Sequence, residues 1–267
     1  MSVQLVRVLV NVWRWRRLVK QLAWREFKVR YAGSALGAAW AVLEPVIQFG
    51  LYLTVFSVLL GMRLEGRPGV ASFGLYLVSG LVPFLALQEV WGRAVELARA
   101  QAQLVRHVSV PLEVMLAGTH LAVMARYGIA LALVVAYAVV SSPAVVGGVG
   151  WLLLGVVTVL LGSFGGALVL MPAGAFLPDL GRVVGLGMMV MLFATPVLYP
   201  ESVVPGPWAS WLFLNPLTGM VDVFRAATMG SSVSPQRLGV FVGVSLAGLL
   251  LGAAVFARRA AAVRDLV

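Results

Sequence analysis

The sequence predicts an all-α polytopic membrane protein with six transmembrane helices, an N-terminal amphipathic interface helix, and two short re-entrant helices between spans five and six. Three observations lead there. First, 61% of the 267 residues are hydrophobic and only 11% are charged, against about half and a quarter in a soluble domain. Second, the apolar residues come in runs close to the ~20 that a bilayer core requires. Third, the basic residues are distributed unevenly around those runs. Mean hydropathy is +0.98, more than an ordinary core can hide. A water-soluble enzyme or DNA-binding protein is thereby excluded.

Apolar runs bounded by charges and by Gly or Pro place the spans at residues 38–62, 70–91, 114–140, 149–176, 183–199 and 238–256. Six spans put both termini on one side. Of the 20 Lys and Arg, fifteen fall on that side, eight of them before Tyr31. Because Lys and Arg collect on the cytoplasmic face, both termini are expected in the cytosol. The net charge of +10 and the pI near 11.0 thus encode orientation, and no nucleic-acid partner is expected. The first 30 residues carry too many basic groups for a secretory signal peptide, so the N-terminus is expected to be retained. The chain reads as one transmembrane domain over 1–267: a cytoplasmic segment (1–31), the six-span region (38–256) and a cytoplasmic tail (257–267). With zero Cys there is no disulfide, thiol nucleophile or Cys-based metal site.

The connections are unequal. Residues 141–148 are short, uncharged and suited only to turning the chain. Residues 98–113 are polar, with Arg99, Gln101, Gln103, Arg106 and His107 ahead of Pro111, a pattern for a short helix ending before the proline. Residues 200–237 hold two half-length apolar pieces, 208–214 and 220–229, separated by Asn215-Pro216. Neither can cross ~30 Å of hydrocarbon, so both are expected to dip in and return against protein.

Between Val12 and Tyr31, the residues Trp15, Leu18, Val19, Leu22 and Ala23 follow the spacing of one helix face. Arg14, Arg17, Gln21, Arg25 and Lys28 form a polar stripe, with Trp13 and Trp24 at its margins. Such a helix lies on the inner leaflet and anchors the topology. The same surface could meet a partner or an anionic substrate.

No Gly-x4-Gly-Lys-Ser/Thr loop is present, and Lys20 and Lys28, the two lysines, follow no Gly-rich run. The chain therefore does not hold ATP in a phosphate loop. His107 and His120 are the two histidines, without HExxH or Cys partners, so no metal is expected. Glu44, Glu89 and Glu113 lie in or near spans, where ionisable groups need partners, and Arg126 lies within one. Glu44 precedes Pro45, and proline suits a first helical turn, so a structural N-terminal role is expected for Glu44. Close helix packing is expected at Gly33/Gly37, Gly162/Gly166, Gly181/Gly185 and Gly248/Gly252.

The stretch from Arg25-Glu26-Phe27-Lys28-Val29-Arg30-Tyr31 through Trp40, followed by Glu44-Pro45, resembles the start of span one in ABC-2-type permeases. It is most similar to the subgroup exporting O-antigen, capsular polysaccharide and teichoic acid. Further likenesses follow in chain order. They are Gly80-Leu81-Val82-Pro83-Phe84; Leu104-Val105-Arg106 through Val110-Pro111-Leu112-Glu113; Asp179-Leu180; Thr195-Pro196 through Pro200; Leu214-Asn215-Pro216; and Phe224-Arg225. The chain departs from that pattern at Glu26, Glu44, Phe84, Val110 and Met115.

The resemblance implies a transport subunit, not an enzyme. Two copies would form a channel in a bacterial inner membrane, and two copies of a separate ATPase, which carries the ATP and Mg, would dock below. Arg99, Leu104, Arg106, His107, Val110, Pro111 and Glu113 would form the coupling element, with Asp179 assisting. The implied substrate is a polysaccharide linked through pyrophosphate to a polyprenyl lipid. Its pyrophosphate would engage an entrance at Arg25, Lys28, Arg30, Tyr31 and Glu44, since phosphate suits Arg. Sugars stack on aromatic faces, making Tyr52, Phe56, Phe73, Tyr76, Phe84 and Tyr199 candidate channel-lining residues. Rival readings are an ABC-2 drug or lipid exporter, an ion-coupled secondary carrier and a polytopic membrane enzyme.

Overall fold

A computed structural model of the chain describes residues 2–64, 70–100, 110–141 and 147–266. Every regular element among them is helical: α1 (Ser2–Arg14), α2 (Arg16–Tyr31), α3 (Trp40–Leu53), α4 (Val70–Ala100), α5 (Leu112–Ser141), α6 (Val149–Phe176), α7 (Leu180–Ala194), α8 (Gly206–Leu214), α9 (Pro216–Met229) and α10 (Pro235–Leu266). A 3-10 turn at Gly37–Ala39 leads into α3, and a π-helical turn at Thr54–Leu59 continues it. Five helical stretches are long and apolar enough to cross a membrane: Gly37–Leu59, Ser72–Ala100, Leu112–Val140, Val149–Phe176 and Pro235–Val263.

The expected fifth span, 183–199, is where sequence and structure part. The helix there is α7, 15 residues long, or ~22 Å at 1.5 Å per residue, short of ~30 Å of hydrocarbon. It stops because Thr195 precedes Pro196, and the proline ring pushes the residue before it out of the helical region. Thr195 is accordingly extended, at φ −110° and ψ 138°. The apolar run continues to Tyr199 without helix, which hydropathy alone does not reveal. The two half-length apolar pieces do form separate short helices, α8 and α9, broken at Asn215.

Helix α4 is the axis of the molecule, packed by α5, α6, α7 and α9. At one end Phe73, Leu77, Leu81 and Phe84 of α4 meet Met220, Val221 and Phe224 of α9. At the other, Ala94 and Leu97 meet Met115 and Leu116 of α5, Met171 of α6, Phe256 of α10 and Val8 of α1. The chain thus has an end carrying α1 and α2, and an opposite end carrying α9 and the start of α10. Helix α9 is buried from Leu217 to Met229. Its start is pinned by Asn215, whose side chain accepts from the Leu217 amide at 2.9 Å, with Pro216 at the first helical position. Gly230, at φ 66°, ends it in the left-handed conformation.

The amphipathic stripe of the N-terminal segment is used against protein. Val19 is buried and Leu18 and Leu22 half-buried, packing toward Val114, Ala117 and Gly118 of α5; Ala23 is also buried, whereas Trp15 of the expected face is exposed. The polar stripe Arg14, Arg17, Gln21, Arg25 and Lys28 is exposed, as are Trp13 and Trp24. The segment is two helices meeting at Trp15. Elsewhere large apolar side chains are left uncovered on α3 (Ile47, Leu51), α7 (Val183, Leu186, Val190) and α8 (Trp208, Trp211). Surfaces of that kind are stable only against lipid or another apolar face.

Two local expectations are corrected. Pro45 lies five residues inside α3, because the 3-10 turn hands over to α-helix at Trp40. Glu44 is therefore no helix N-terminus, and it pairs with Arg30 instead. Of the small-residue pairs, Gly33 and Gly37 serve turns, at φ 77° and 51° with nothing near them, and Gly185 and Gly248 face open space. Close approach occurs where α6 crosses α10. A Cβ on Gly165 would lie 2.5 Å from the Leu249 amide nitrogen, and one on Gly252 would strike the Gly165 carbonyl. Gly162 meets Ser245 of α10, while Gly166 meets the Trp91 indole of α4; the Gly162/Gly166 pair serves two different contacts.

Candidate functional site

Charges buried in an apolar bundle must find each other, because an isolated ion in low dielectric is too costly. They do so in two clusters. The first joins four helices at the α1–α2 end. Glu89 of α4 is its hub: Arg93, one turn further along α4, donates from Nε to Oε1 at 2.9 Å, and Arg30 of α2 donates from Nη1 to the same oxygen at 3.3 Å. Arg126 of α5 pairs with Oε2, which also accepts from the Tyr127 hydroxyl at 3.2 Å. Arg30 further reaches Glu44 of α3 at 3.3 Å, and Arg93 pairs with Glu26 of α2. Three guanidiniums thus face three carboxylates. Burial is graded: the Arg126 side chain is 10% exposed, Glu89 19%, Arg30 33% and Glu44 47%.

The expected entrance residues divide accordingly. Arg30 and Glu44 are in this network, and Tyr31 is buried beside it with a hydroxyl that has no partner among the described residues. Arg25 and Lys28 are exposed on the outer face of α2, Lys28 lying 5.1 Å from the Trp24 ring centroid. Glu89, Arg93 and Arg126, which complete the cluster, did not stand out as a group in the sequence. The available signal was their ionisable character inside or beside apolar runs; apart from the Glu89–Arg93 pair one turn apart on α4, their partners are 37 to 67 residues away on other helices.

Of the expected coupling residues, Arg99, Val110, Pro111, Glu113 and Asp179 share the α1–α2 end. Arg99 donates to the Ala175 carbonyl of α6 at 3.2 Å, and Glu113 accepts from Asn11 of α1 at 2.7 Å. Val110 and Pro111 are half-buried at the start of α5, where the Pro111 carbonyl accepts from the Val114 amide at 3.0 Å. Asp179 is exposed and paired with Arg182 at 3.0 Å. Leu104, Arg106 and His107 lie outside the described residues.

The aromatic candidates do not share one surface. Phe73 and Phe84 are each 0% exposed, enclosed by their own chain in the core, so neither presents a face to a channel between copies. Apolar all round, α4 offered no pattern to tell its buried face from its open one. Tyr52 and Phe56 are half-buried and stacked with centroids 6.3 Å apart. Tyr76 donates its hydroxyl to the Tyr199 carbonyl at 3.2 Å, and Tyr199 donates to the Phe193 carbonyl at 2.7 Å.

The second cluster, at the opposite end, was not anticipated. Arg225 of α9 is 4% exposed. It donates to the Pro196 and Val197 carbonyls at 2.7 and 3.3 Å and to the Tyr76 carbonyl at 3.3 Å, with its guanidinium 3.3 Å from the Tyr76 ring centroid. It thereby uses the carbonyls left free where α7 ends. Arg237, in the first turn of α10, grips Glu201 with two bonds of 2.7 and 2.9 Å and reaches Asp222 of α9 at 3.2 Å. Its guanidinium also lies 4.7 Å from the Phe213 ring centroid. The sequence carried a hint: Asp222 and Arg225 interrupt the short apolar piece 220–229. Tyr76 and Arg237 are distant in sequence and carried none.

Among the described residues no group of His, Cys, Asp and Glu is arranged to hold a metal. What the bundle offers is lipid-compatible faces, a polar network at each end and an axial helix joining them. That architecture can be set beside known proteins. The sequence model of the family described as ABC-2 type transporter matches residues 17–229. The chain belongs to the ABC-2 type transporter family. Within it, the chain is 24% identical over 238 residues to the O-antigen export system permease protein RfbA of Klebsiella pneumoniae, covering 87% of this chain and 88% of the relative. It is 24% identical over 243 residues to the polysialic acid transport protein KpsM of Escherichia coli, covering 90% and 93%. A third relative, RfbA of Myxococcus xanthus, is 26% identical over 230 residues, covering 83% and 84%. The family match runs from Arg17 to Met229, leaving α1 and α10 outside it.

Proposed function

We propose that this ABC-2 permease exports a lipid-pyrophosphate-linked polysaccharide across a bacterial cytoplasmic membrane, as the membrane half of an ATP-driven exporter. The observation that carries the reading is the near end-to-end likeness to permeases named for O-antigen export and polysialic acid transport. The absence of a phosphate-binding loop agrees with energy supplied by a separate ATPase that holds ATP and Mg. Two copies of the chain and two of the ATPase form the working unit, in which the uncovered apolar faces of α3 and α7 meet lipid or the second copy.

The α1–α2 end is cytoplasmic in this reading, because eight basic residues precede Tyr31. Helices α1 and α2 ride on the inner leaflet through Trp13 and Trp24. Helix α7 with residues 195–199 makes the sixth crossing, and α8 and α9 re-enter from outside, α9 being covered wholly by protein. Arg25 and Lys28, which make no ion pair among the described residues, supply positive charge at the entrance. Arg30 supplies a third cation by exchanging Glu44 for a pyrophosphate oxygen, a small loss for a pair so exposed. Tyr52, Phe56, Tyr76 and Tyr199, all half-buried, remain the aromatics that can meet a sugar chain. The segment from Arg99 to Glu113 and the turn at Asp179 meet the ATPase, whose strokes move the polymer stepwise.

The test is reconstitution in vesicles with the ATPase encoded beside it and a polyprenyl-pyrophosphate-linked glycan loaded on one side. ATP-dependent appearance of glycan on the other side is expected. Movement that persists without ATP and follows an imposed proton or sodium gradient would reject the reading.

A further inference from the structure

The Arg237 cluster borders a cavity of about 570 Å³ at the end of the bundle remote from α1 and α2, between the Glu201–Val203 turn, α9, the start of α10 and the first turns of α4. That volume is in the range of small-ligand sites. Its wall has two properties that bear on what could fill it.

The first is charge. Glu201 and Asp222 are offset by Arg237, which touches both, and by Arg225, whose donors are committed to backbone carbonyls. Among the described residues that line the cavity, two carboxylates face two guanidiniums, which leaves no net charge there to attract a polyanion, and the carboxylates would repel one at contact range. The second is unused hydrogen-bonding capacity. The hydroxyls of Ser202, Ser231, Ser232 and Ser234 line the cavity and make no hydrogen bond with the described residues. Asp222 Oδ1 accepts from none of them, and Arg237 Nε is a buried donor without a partner. A buried donor such as that Nε is normally satisfied by something, whereas Ser202, Ser231 and Ser232 are exposed and offer hydroxyls that water holds until a ligand displaces it. Hydroxyls that donate and accept, carboxylate oxygens that accept and an N–H that donates together match a ligand bearing many hydroxyls and no charge. The edge of Tyr76 and the Phe213 side chain supply apolar contact for its C–H faces.

We propose that this cavity is a binding subsite for a short, uncharged, polyhydroxylated sugar segment, reached on the exit side of the permease. The proposal rests on the export reading for the source of that segment and narrows it: the transported polymer contains neutral sugar units, and a uniformly anionic chain is disfavoured here.

The purified permease in nanodiscs is titrated with neutral gluco-, galacto- and manno-oligosaccharides and, separately, with a polysialic acid oligomer. Binding is read by saturation-transfer NMR and calorimetry. At least one neutral series is expected to bind, and the polysialic acid oligomer to bind more weakly. Replacing Ser231→Val and Ser232→Val together removes two hydroxyls that hold nothing internally, so folding is retained. Affinity is expected to fall about fivefold for each hydrogen bond lost. No binding by any neutral series, equal or tighter binding of the anionic oligomer, or an unchanged affinity in the double variant would overturn the subsite. ATP-driven glycan export by the wild type, measured alongside, separates the two claims. Export without sugar binding removes the subsite and leaves the transport reading intact. Sugar binding with no export supports the subsite and removes the transport reading.

Discussion

Helices α2, α4 and α5 are held together by Glu89, and its removal is the perturbation with the clearest magnitude. Its pairs are not equivalent. Arg30–Glu44 has side chains 33% and 47% exposed, so solvent screens it and its deletion costs at most about 1 kcal/mol. Arg126–Glu89 has side chains 10% and 19% exposed, and Arg126 makes no other ion pair among the described residues. Glu89→Leu leaves that guanidinium buried and uncompensated, which costs about 3–5 kcal/mol. Arg126→Met leaves Glu89 with Arg30 and Arg93 still in reach and costs about 2–3 kcal/mol, the lower side of the same effect. The double variant Glu89→Leu/Arg126→Met removes both buried ions. Arg30 and Arg93, which lose Glu89, keep Glu44 and Glu26 as partners and are each about a third exposed, so they can also turn to water. Its cost is expected near that of the milder single variant, giving a coupling of about 2 kcal/mol or more. Tryptophan fluorescence during reversible unfolding in mixed micelles, with the chain's 8 Trp as reporters, measures all three. Costs that simply add, within about 0.5 kcal/mol, would refute the buried pair as the element joining α4 to α5.

The α6–α10 crossing should be intolerant at Gly165 and indifferent at Gly248. Gly165→Leu drives a side chain into the Leu249 backbone and should abolish the monodisperse peak in size-exclusion chromatography, whereas Gly248→Ala meets nothing and should gain up to about 1 kcal/mol from helix propensity. Asn215→Ala removes the cap of α9 and the bonds to the Thr195 hydroxyl and Ala194 carbonyl. It is expected to cost about 1–2 kcal/mol in the same unfolding assay, with Asn215→Asp keeping the cap alone and falling between. Arg30→Ala should cut glycan export several-fold with folded yield unchanged, since its ion pairs are exposed; full export would remove Arg30 from the entrance. Val110→Glu should lower the glycan-stimulated ATPase rate of the reconstituted complex, and an unchanged rate would place the coupling contact elsewhere.

Export of a neutral glycan and the charge pattern of the Arg237 cavity bear on each other. One named relative transports polysialic acid, an anionic polymer, and another exports O-antigen. If the exit-side subsite tracks the polymer's charge, swapping Glu201 and Asp222 for their amides should shift tolerance toward anionic chains, in a competition between neutral and anionic oligosaccharides.

Much of this fold can be read locally. Helix α6 occupies the residues 149–176 expected for it, because hydropathy and flanking breakers are properties of the segment itself. The break at Asn215-Pro216 was legible for the same reason: a capping side chain and a ring that favours the first helical turn act within three residues. Where local rules compete, the reading slipped. Hydropathy carried span five on to Tyr199, while Pro196 stopped the helix at Ala194.

Facing and partnership were decided by tertiary structure. In a soluble helix one face is polar, so the pattern shows what is buried. In lipid both faces are apolar, and nothing in the sequence of α4 distinguishes Phe84, enclosed in the core, from a side chain open to a channel or to acyl chains. The pairing of Glu89 with Arg126, and of Arg237 with Glu201, depends on how whole helices lie against one another. The sequence alone showed that charges sit inside apolar runs and must be matched. Which ones match follows from packing, because the desolvation that forces the pairing exists only once the helices are together.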